Sequence, residues 1–409
     1  MLRTIFYLIG AACLMLLTSC TGETYQNAIP RGCTALMSAD LSATENLNET
    51  EGGNLLKTVF ALEDLSQSGI DLSCKLYLFE SADGYFGMVA AIDKEKVLRQ
   101  WMTDLEEKGT VSPLPDRKGK HFCVVSDAWL MAYDADKMLV MGPVVPTAQG
   151  ELSLQMARYM EQDEHQGMNG TPLMKRLGEL TSPLALVAQT AALPESLAAI
   201  FAIGAPKDAD ASQIVVAAEM EVAEGTLVVK GETFSFNKSI DAQLKKAQQS
   251  FRPMKGVFAS RIPQASLAWM ANVEGGTFYE MLQQDKALKG LLTGANVSFD
   301  FNKVVGDING DMVVVVDSAA AAKPRITMLA QRADGTEYFA STDASLKAAT
   351  AFDSAASPLS ASQQSLLQTS RCSMVVQLSQ MGNGKVADVV KTVLRPLFGD
   401  IDTIVYIMK

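Results

Sequence analysis

The sequence predicts an α+β fold in which antiparallel sheets are covered by amphipathic helices, arranged as two related modules from an internal duplication. Three observations carry this expectation. Apolar strand-like runs are joined by Asp-Gly turns at Asp83-Gly84 and Asp334-Gly335, and Asp-Gly between apolar runs is among the better hairpin signals. Helical stripes such as Val97, Leu98, Trp101, Met102 and Leu105 stand between those hairpins. Two stretches also echo one another along the chain. Ile29-Pro30 with Thr34 to Ser38 matches Ile262-Pro263 with Leu267 to Ala271 at an offset of 233, and Lys75 to Ala90 matches Arg325 to Ala340 at an offset of 251. The 18 residues between the offsets are about what an additional hairpin at Lys303 to Val316 inserts.

In chain order, Met1 to Cys20 reads as an export signal. Arg3 supplies the positive start, Ile5 to Leu17 is uncharged, and this apolar run is shorter than the roughly 20 residues that span a bilayer. Its end, Leu17-Thr18-Ser19-Cys20, resembles the bacterial lipobox. That resemblance implies a diacylglycerol on the Cys20 thiol, cleavage before it, and acylation of the new amine. Each buried methylene contributes ~0.8 kcal/mol, so two or three chains hold a protein to a membrane where one does not. The expected organisation is a signal peptide at 1–19, a lipidated tether at 20–28, a first α+β module at 29–149, a middle helix-plus-hairpin section at 150–255 and a second module at 256–409.

Within the first module, Cys33 to Met37 reads as a buried strand and Leu55 to Leu65 as a helix. A hairpin from Lys75 to Ile92 follows, then a helix begun by Asp93 and ended by Gly109. A loop with Pro113 and Pro115 leads to strands at His121 to Ser126, Trp129 to Tyr133 and Met138 to Met141. The middle section shows helical patterns at Leu152 to Tyr159 and Pro172 to Leu180. Strands follow at Ile214 to Val222 and Thr226 to Phe236, and a helix from Ile240 to about Phe251. The second module adds a helix carrying Phe278, Met281, Leu282, Leu288, Leu291 and Leu292. A Ser- and Ala-rich connector covers Ser345 to Thr369, and the chain ends as strand, helix and strand through Thr403 to Ile407.

Of 409 residues, 48% are hydrophobic and 20% charged, the composition of a folded chain. Cleavage at Cys20 leaves 390 residues, enough for two or three domains. The formal charge of −11 becomes −12 once Arg3 is lost, which disfavours nucleic acid as a partner. Cys33, Cys74, Cys123 and Cys372 remain after Cys13 leaves and Cys20 is lipidated. None has metal-site or redox spacing; one disulfide or buried free thiols are the alternatives.

No catalytic, cofactor or metal residue is nominated. His121 and His165 lack partners at zinc-site spacing. Ser235-Phe236-Asn237-Lys238 matches Ser-x-x-Lys, but it continues a strand and the companion motifs are absent. Asp307 to Asp311 resembles a calcium loop but carries Met312 and Ser318 at the positions requiring glycine and glutamate; Asn309-Gly310 is then expected as a tight hairpin turn. Arg117, Lys118 and Lys120 form the densest basic patch, a solvated loop face or a phosphate-facing one. Many of the 21 methionines, among them Met131, Met138, Met141, Met270 and Met281, lie in apolar runs as core filling or the lining of an adaptable groove.

The Ile-Pro strand opening after a short tether, Gly69-Ile70-Asp71-Leu72 leading into Lys75-Leu76-Tyr77-Leu78-Phe79, and the lipobox together resemble a domain-of-unknown-function family of Bacteroidetes-type cell-envelope lipoproteins. The resemblance implies an envelope location and no activity. Thr21 after Cys20, rather than an aspartate, points to the outer membrane, and the lone acid Glu23, a weak match to the acidic signals of surface lipoproteins, to its periplasmic side. Three functions are consistent with the chain, in this order. The first is a non-catalytic interaction or structural protein, with an envelope protein as partner and the membrane reached through Cys20. The second is a carrier of an apolar or glycan ligand between the modules, faced by residues such as Trp129 or Trp269. The third is a carboxylate-based hydrolase, which requires two acids converging in a cleft with split pKa values.

Overall fold

The computed structural model describes residues 21–40, 67–193, 198, 201–206, 208–223, 225–284, 305–317, 325–352, 357, 359–368, 370–381 and 401–408. Cys20 and the signal peptide expected at 1–19, and the helices expected at 55–65 and 386–394, lie outside the described residues, as do Leu288, Leu291 and Leu292. The chain forms two compact units, Met1–Glu179 and Leu180–Lys409.

The first unit opens with a 3-10 helix, Thr21–Ala28. This segment reads from sequence as a polar tether, yet Tyr25, Ala28 and Ile29 are buried, and the Tyr25 hydroxyl donates to the Lys75 carbonyl at 2.6 Å. Seven strands follow: β1 (Ala35–Asp40), β2 (Lys75–Glu80), β3 (Phe86–Ala91), β4 (Val111–Arg117), β5 (Lys120–Val125), β6 (Trp129–Tyr133) and β7 (Lys137–Gly142). They pair antiparallel throughout, in the order β1-β2-β3-β7-β6-β5-β4. Helix α1 (Glu95–Glu107) buries the expected stripe of Leu98, Trp101, Met102 and Leu105. The Gly109 and Thr110 amides close it on the Glu106 and Leu105 carbonyls, a Schellman ending. The proline segment expected as a loop is instead β4, which among the described residues of this unit pairs with β5 alone. Proline has no N–H to give a ladder, so it belongs at such an edge. Helices α2 (Gln149–Tyr159) and α3 (Pro172–Gly178) complete the unit; Thr171 caps α3 by accepting from the Met174 amide, with Pro172 in the first turn.

The second unit contains β8 (Leu184–Gln189), β9 (Val215–Ala223), β10 (Thr226–Phe234), α4 (Lys238–Gln248), β11 (Phe251–Arg252), β12 (Leu267–Glu274), α5 (Gly275–Gln284), β13 (Ile308–Asp317), β14 (Arg325–Arg332), β15 (Glu337–Ser341), α6 (Ala348–Phe352), α7 (Ala361–Leu367), β16 (Cys372–Gln377) and β17 (Thr403–Met408). The strand order is β8-β9-β10-β17-β16-β12-β13-β14-β15, and β11 pairs with β12 just beyond β16. Strands β12 and β16 are buried along almost their whole length, because both faces of the sheet are covered. Trp269, Ala271 and Val273 pack with Phe278 of α5 on one face. Ala268 and Met270 pack with Phe258, Phe352 and Leu367 on the other.

These arrangements correct the expected fold class. The described residues hold 17 strands, the helices among them are short, and the sheet is mixed rather than antiparallel because β10 and β17 run parallel. The internal duplication also fails, on strand direction. β1 pairs directly with β2, antiparallel. Their sequence counterparts β12 and β14 are separated by β13, antiparallel to both, and so run the same way. Nor is Asn309-Gly310 a hairpin turn: it lies within β13, at an irregularity of register between Ile308 and Met312.

Candidate functional site

In the first unit, the β1–β2 register sets Ser38 opposite Tyr77 and Asp40 opposite Lys75. Strand alternation therefore places all four on one face of the sheet. The opening 3-10 helix brings Gln26 to this face, where its Nε2 donates to the Tyr77 hydroxyl at 2.9 Å. Asn169 and the last turns of α3, with Met174, Lys175 and Leu177, stand across from it. Between them lies a cavity of about 430 Å³ lined by Gln26, Ser38, Lys75, Tyr77, Asn169 and Lys175, with Met174 and Leu177 as its apolar part. That volume is within the ~300–1,000 Å³ of small-molecule sites. Among the described residues two lysines and no carboxylate line it. At its floor Ser38 is 1% exposed, and its Oγ has no hydrogen-bond partner among the described residues. Beside the cavity, burial pushes the Tyr25 phenol well above its ordinary pKa, so Tyr25 serves as a neutral donor to the Lys75 carbonyl.

A second cavity of about 430 Å³ lies in the second unit, lined by Lys230, Ser370, Arg371, Ile407 and Met408 among others. Its polar groups are engaged within the protein. Lys230 pairs with Glu221 at 2.8 Å, and the Ser370 hydroxyl contacts the Leu367 carbonyl and the Ser373 hydroxyl.

The residues that sequence alone brings forward are not gathered in either cavity. His121 has Nδ1 at 3.0 Å from Asp116 Oδ2 and Nε2 at 2.8 Å from the Arg99 guanidinium. A guanidinium only donates, so Nε2 accepts and Nδ1–H donates to Asp116; both nitrogens of the neutral ring are engaged. His165 sits in an exposed loop, its backbone N–H held by Asp163. The Ser235 hydroxyl donates to the Gln213 carbonyl at 2.6 Å and accepts from the Asn237 amide at 3.1 Å, a loop-fastening role. Arg117, Lys118 and Lys120 lie at the β4–β5 hairpin, whose central residues Lys118 and Gly119 have positive φ, and Lys118 pairs with Glu161 at 2.6 Å. Among the described residues no group of three His, Cys, Asp or Glu side chains is placed to hold a metal.

Trp269 faces no cleft. It is 1% exposed and donates its Nε1–H to Cys372 Sγ at 3.0 Å. The five singled-out methionines, Met131, Met138, Met141, Met270 and Met281, are buried as core filling. Cys33, Cys74, Cys123 and Cys372 are free thiols, which leaves the disulfide alternative unsupported. No sequence motif pointed to Gln26, Ser38, Asn169 or Lys175. They meet only because β1 pairs with β2 and α3 packs over that pair.

The DUF4836 family, described as a domain of unknown function, matches residues 38–381. The chain belongs to this family. No curated protein matches the DUF4836 chain. Among solved structures, crystal form I of TP0453 is similar at 10% identity with a TM-score of 0.31, over 49% of this chain and 73% of that one. Crystal form IV of TP0453 gives 9% identity and a TM-score of 0.30, over 49% and 76%. Likeness at this level carries no argument about fold or function. No helix among the described residues is long and apolar enough to cross a membrane.

Proposed function

We propose that this DUF4836 protein is a lipid-anchored cell-envelope protein of the Bacteroidetes lipoprotein type, held by Cys20 on the periplasmic side of the outer membrane. It acts there without catalysis, as an interaction or structural element for an envelope protein partner. The observation that carries the anchor is the sequence Leu17-Thr18-Ser19-Cys20 after a short uncharged apolar run. Two or three acyl chains on Cys20 give durable attachment without any spanning helix. The non-catalytic role is supported by the bonding of the candidate groups: His121 and Ser235 have their polar atoms committed to holding loops and strands.

The anchor is tested by replacing Cys20 with Ser and, separately, by blocking the lipoprotein signal peptidase. The wild type is expected in the detergent-extractable membrane fraction with a mass increase from acylation, and the Cys20→Ser form as unprocessed or soluble protein. A Cys20→Ser protein that stays membrane-bound with unchanged mass would overturn the reading.

The carrier reading placed its ligand between modules. The first unit's own cavity favours a ligand site of different placement.

A further inference from the structure

We propose that the cavity between the β1–β2 face and α3 binds a small, hydroxyl-rich organic acid, with Lys75 and Lys175 meeting its carboxylate and Gln26, Tyr77 and Asn169 its hydroxyls. This goes beyond the envelope role and does not depend on Cys20 being lipidated.

The charge pattern is the first argument. The chain carries a formal net charge of −11, yet among the described residues this concave surface contains two lysines and no Asp or Glu. The carboxylate closest by register, Asp40 opposite Lys75, is outside the lining. A concave site of one sign in a protein of the other concentrates the oppositely charged solute. Hydrogen-bonding capacity is the second argument. Gln26 and Asn169 each combine a donor and an acceptor, and the phenol of Tyr77 does both, which suits hydroxyls that also do both. Orientation of α3 is the third. The helix meets the cavity with its last turn, Lys175 to Gly178, the negative end of its dipole. A negative end opposes a dianion more than a single charge, so the site fits a single carboxylate on a hydroxyl-bearing body better than phosphate. Met174 and Leu177 offer the apolar surface that the carbon skeleton of such an acid needs.

Titration calorimetry of the full-length protein in detergent, with D-glucuronate, D-galacturonate and D-gluconate in turn, tests the assignment; D-glucose and inorganic phosphate are the controls. Saturable one-site binding of at least one acid, at least about tenfold tighter than glucose and phosphate, is the expected result. The Lys75→Gln/Lys175→Gln form should weaken that binding by about tenfold or more while its thermal midpoint stays near wild type. Lys175→Gln alone, at an exposed position, should show a smaller loss and guards against misfolding of the double variant. Equal affinity for glucose, preference for phosphate, absence of binding by all three acids, or unchanged binding in both lysine variants overturns the proposal.

Discussion

Asn272 and Asp311 face each other across β12 and β13, and the Asn272 amide donates to Asp311 Oδ1 at 2.9 Å with both residues 3% exposed. The same carboxyl group accepts the Lys255 and Val257 amides, each at 3.0 Å, so one buried side chain fastens the 253–257 segment onto the sheet. Asp311→Ala removes three hydrogen bonds, one buried and two part-buried, each worth about 0.5–1.5 kcal/mol net. A loss on the order of 3 kcal/mol in urea unfolding is expected, with a smaller loss for Asp311→Asn. Unfolding of Asp311→Ala at the wild-type midpoint would refute this role.

The outer edge of the Phe79 ring stands against Gly87, its partner across β2 and β3. A Cβ added at Gly87 would stand 2.1 Å from the Phe79 ring. Both residues are buried, so neither can swing away. Gly87→Ala is expected to cost about 1–3 kcal/mol through overpacking. The cost should shrink when Phe79→Leu accompanies it, and a double-mutant cycle reads the coupling. Additive effects would mean the ring does not press on position 87.

The four cysteines should react unequally. Burial pushes the Cys123 and Cys372 thiols up to about 12 and Cys33 higher still. At pH 8 a thiol of pKa 12 holds about one part in 10⁴ as thiolate, the reactive form. Cys74 is half-buried, with Sγ 3.5 Å from Asp71 Oδ2. Under native conditions iodoacetamide should label Cys74 first, and the other three only after denaturant is added, as peptide mass spectrometry will show. Early labelling of Cys372 would contradict its burial beside Trp269.

Acid should destabilise the protein gradually through its turns. Hydrogen bonds from Ser73, Thr277, Thr336 and Ser345 hold the carboxyls of Asp71, Glu274, Asp334 and Asp343 below their ordinary range. A carboxyl depressed by folding contributes stability above its unfolded pKa of about 4 and loses it as pH falls through the lower folded value. Thermal midpoints should therefore decline from about pH 5 downward. Glu274, which accepts the Gly276 and Thr277 amides at the start of α5, offers the single-residue check. Glu274→Gln should flatten part of that decline, and an unaltered slope would exclude its contribution.

Local signals in the sequence were reliable where the structure they specify is local. The α1 stripe, the Asp83-Gly84 turn and the strands through Met141 follow from periodicity and turn chemistry within a dozen residues. Pro113 and Pro115 misled because proline disfavours a strand only where a ladder needs its N–H, and the edge position of β4 is decided by strands elsewhere. Asn309-Gly310 misled in the same way. The pair favours a turn in isolation, but the β12 ladder carries the chain through it, with the irregularity confined to the β14 side.

By itself the sequence determined the hydrophobic segments, most of their helix or strand character, the uncharged apolar run Ile5 to Leu17 ahead of Cys20, and the acidic balance of the whole chain. All of these are sums over neighbouring residues. Tertiary structure alone decided which strands pair and in which direction. It set β13 between β12 and β14, made β10 parallel to β17, and so removed the apparent duplication. It also decided the cavity, since Gln26, Ser38, Lys75, Tyr77, Asn169 and Lys175 are spread over about 150 residues of chain. Pairing is chosen by the burial of both faces of a sheet at once, a condition on distant segments jointly that no local pattern records.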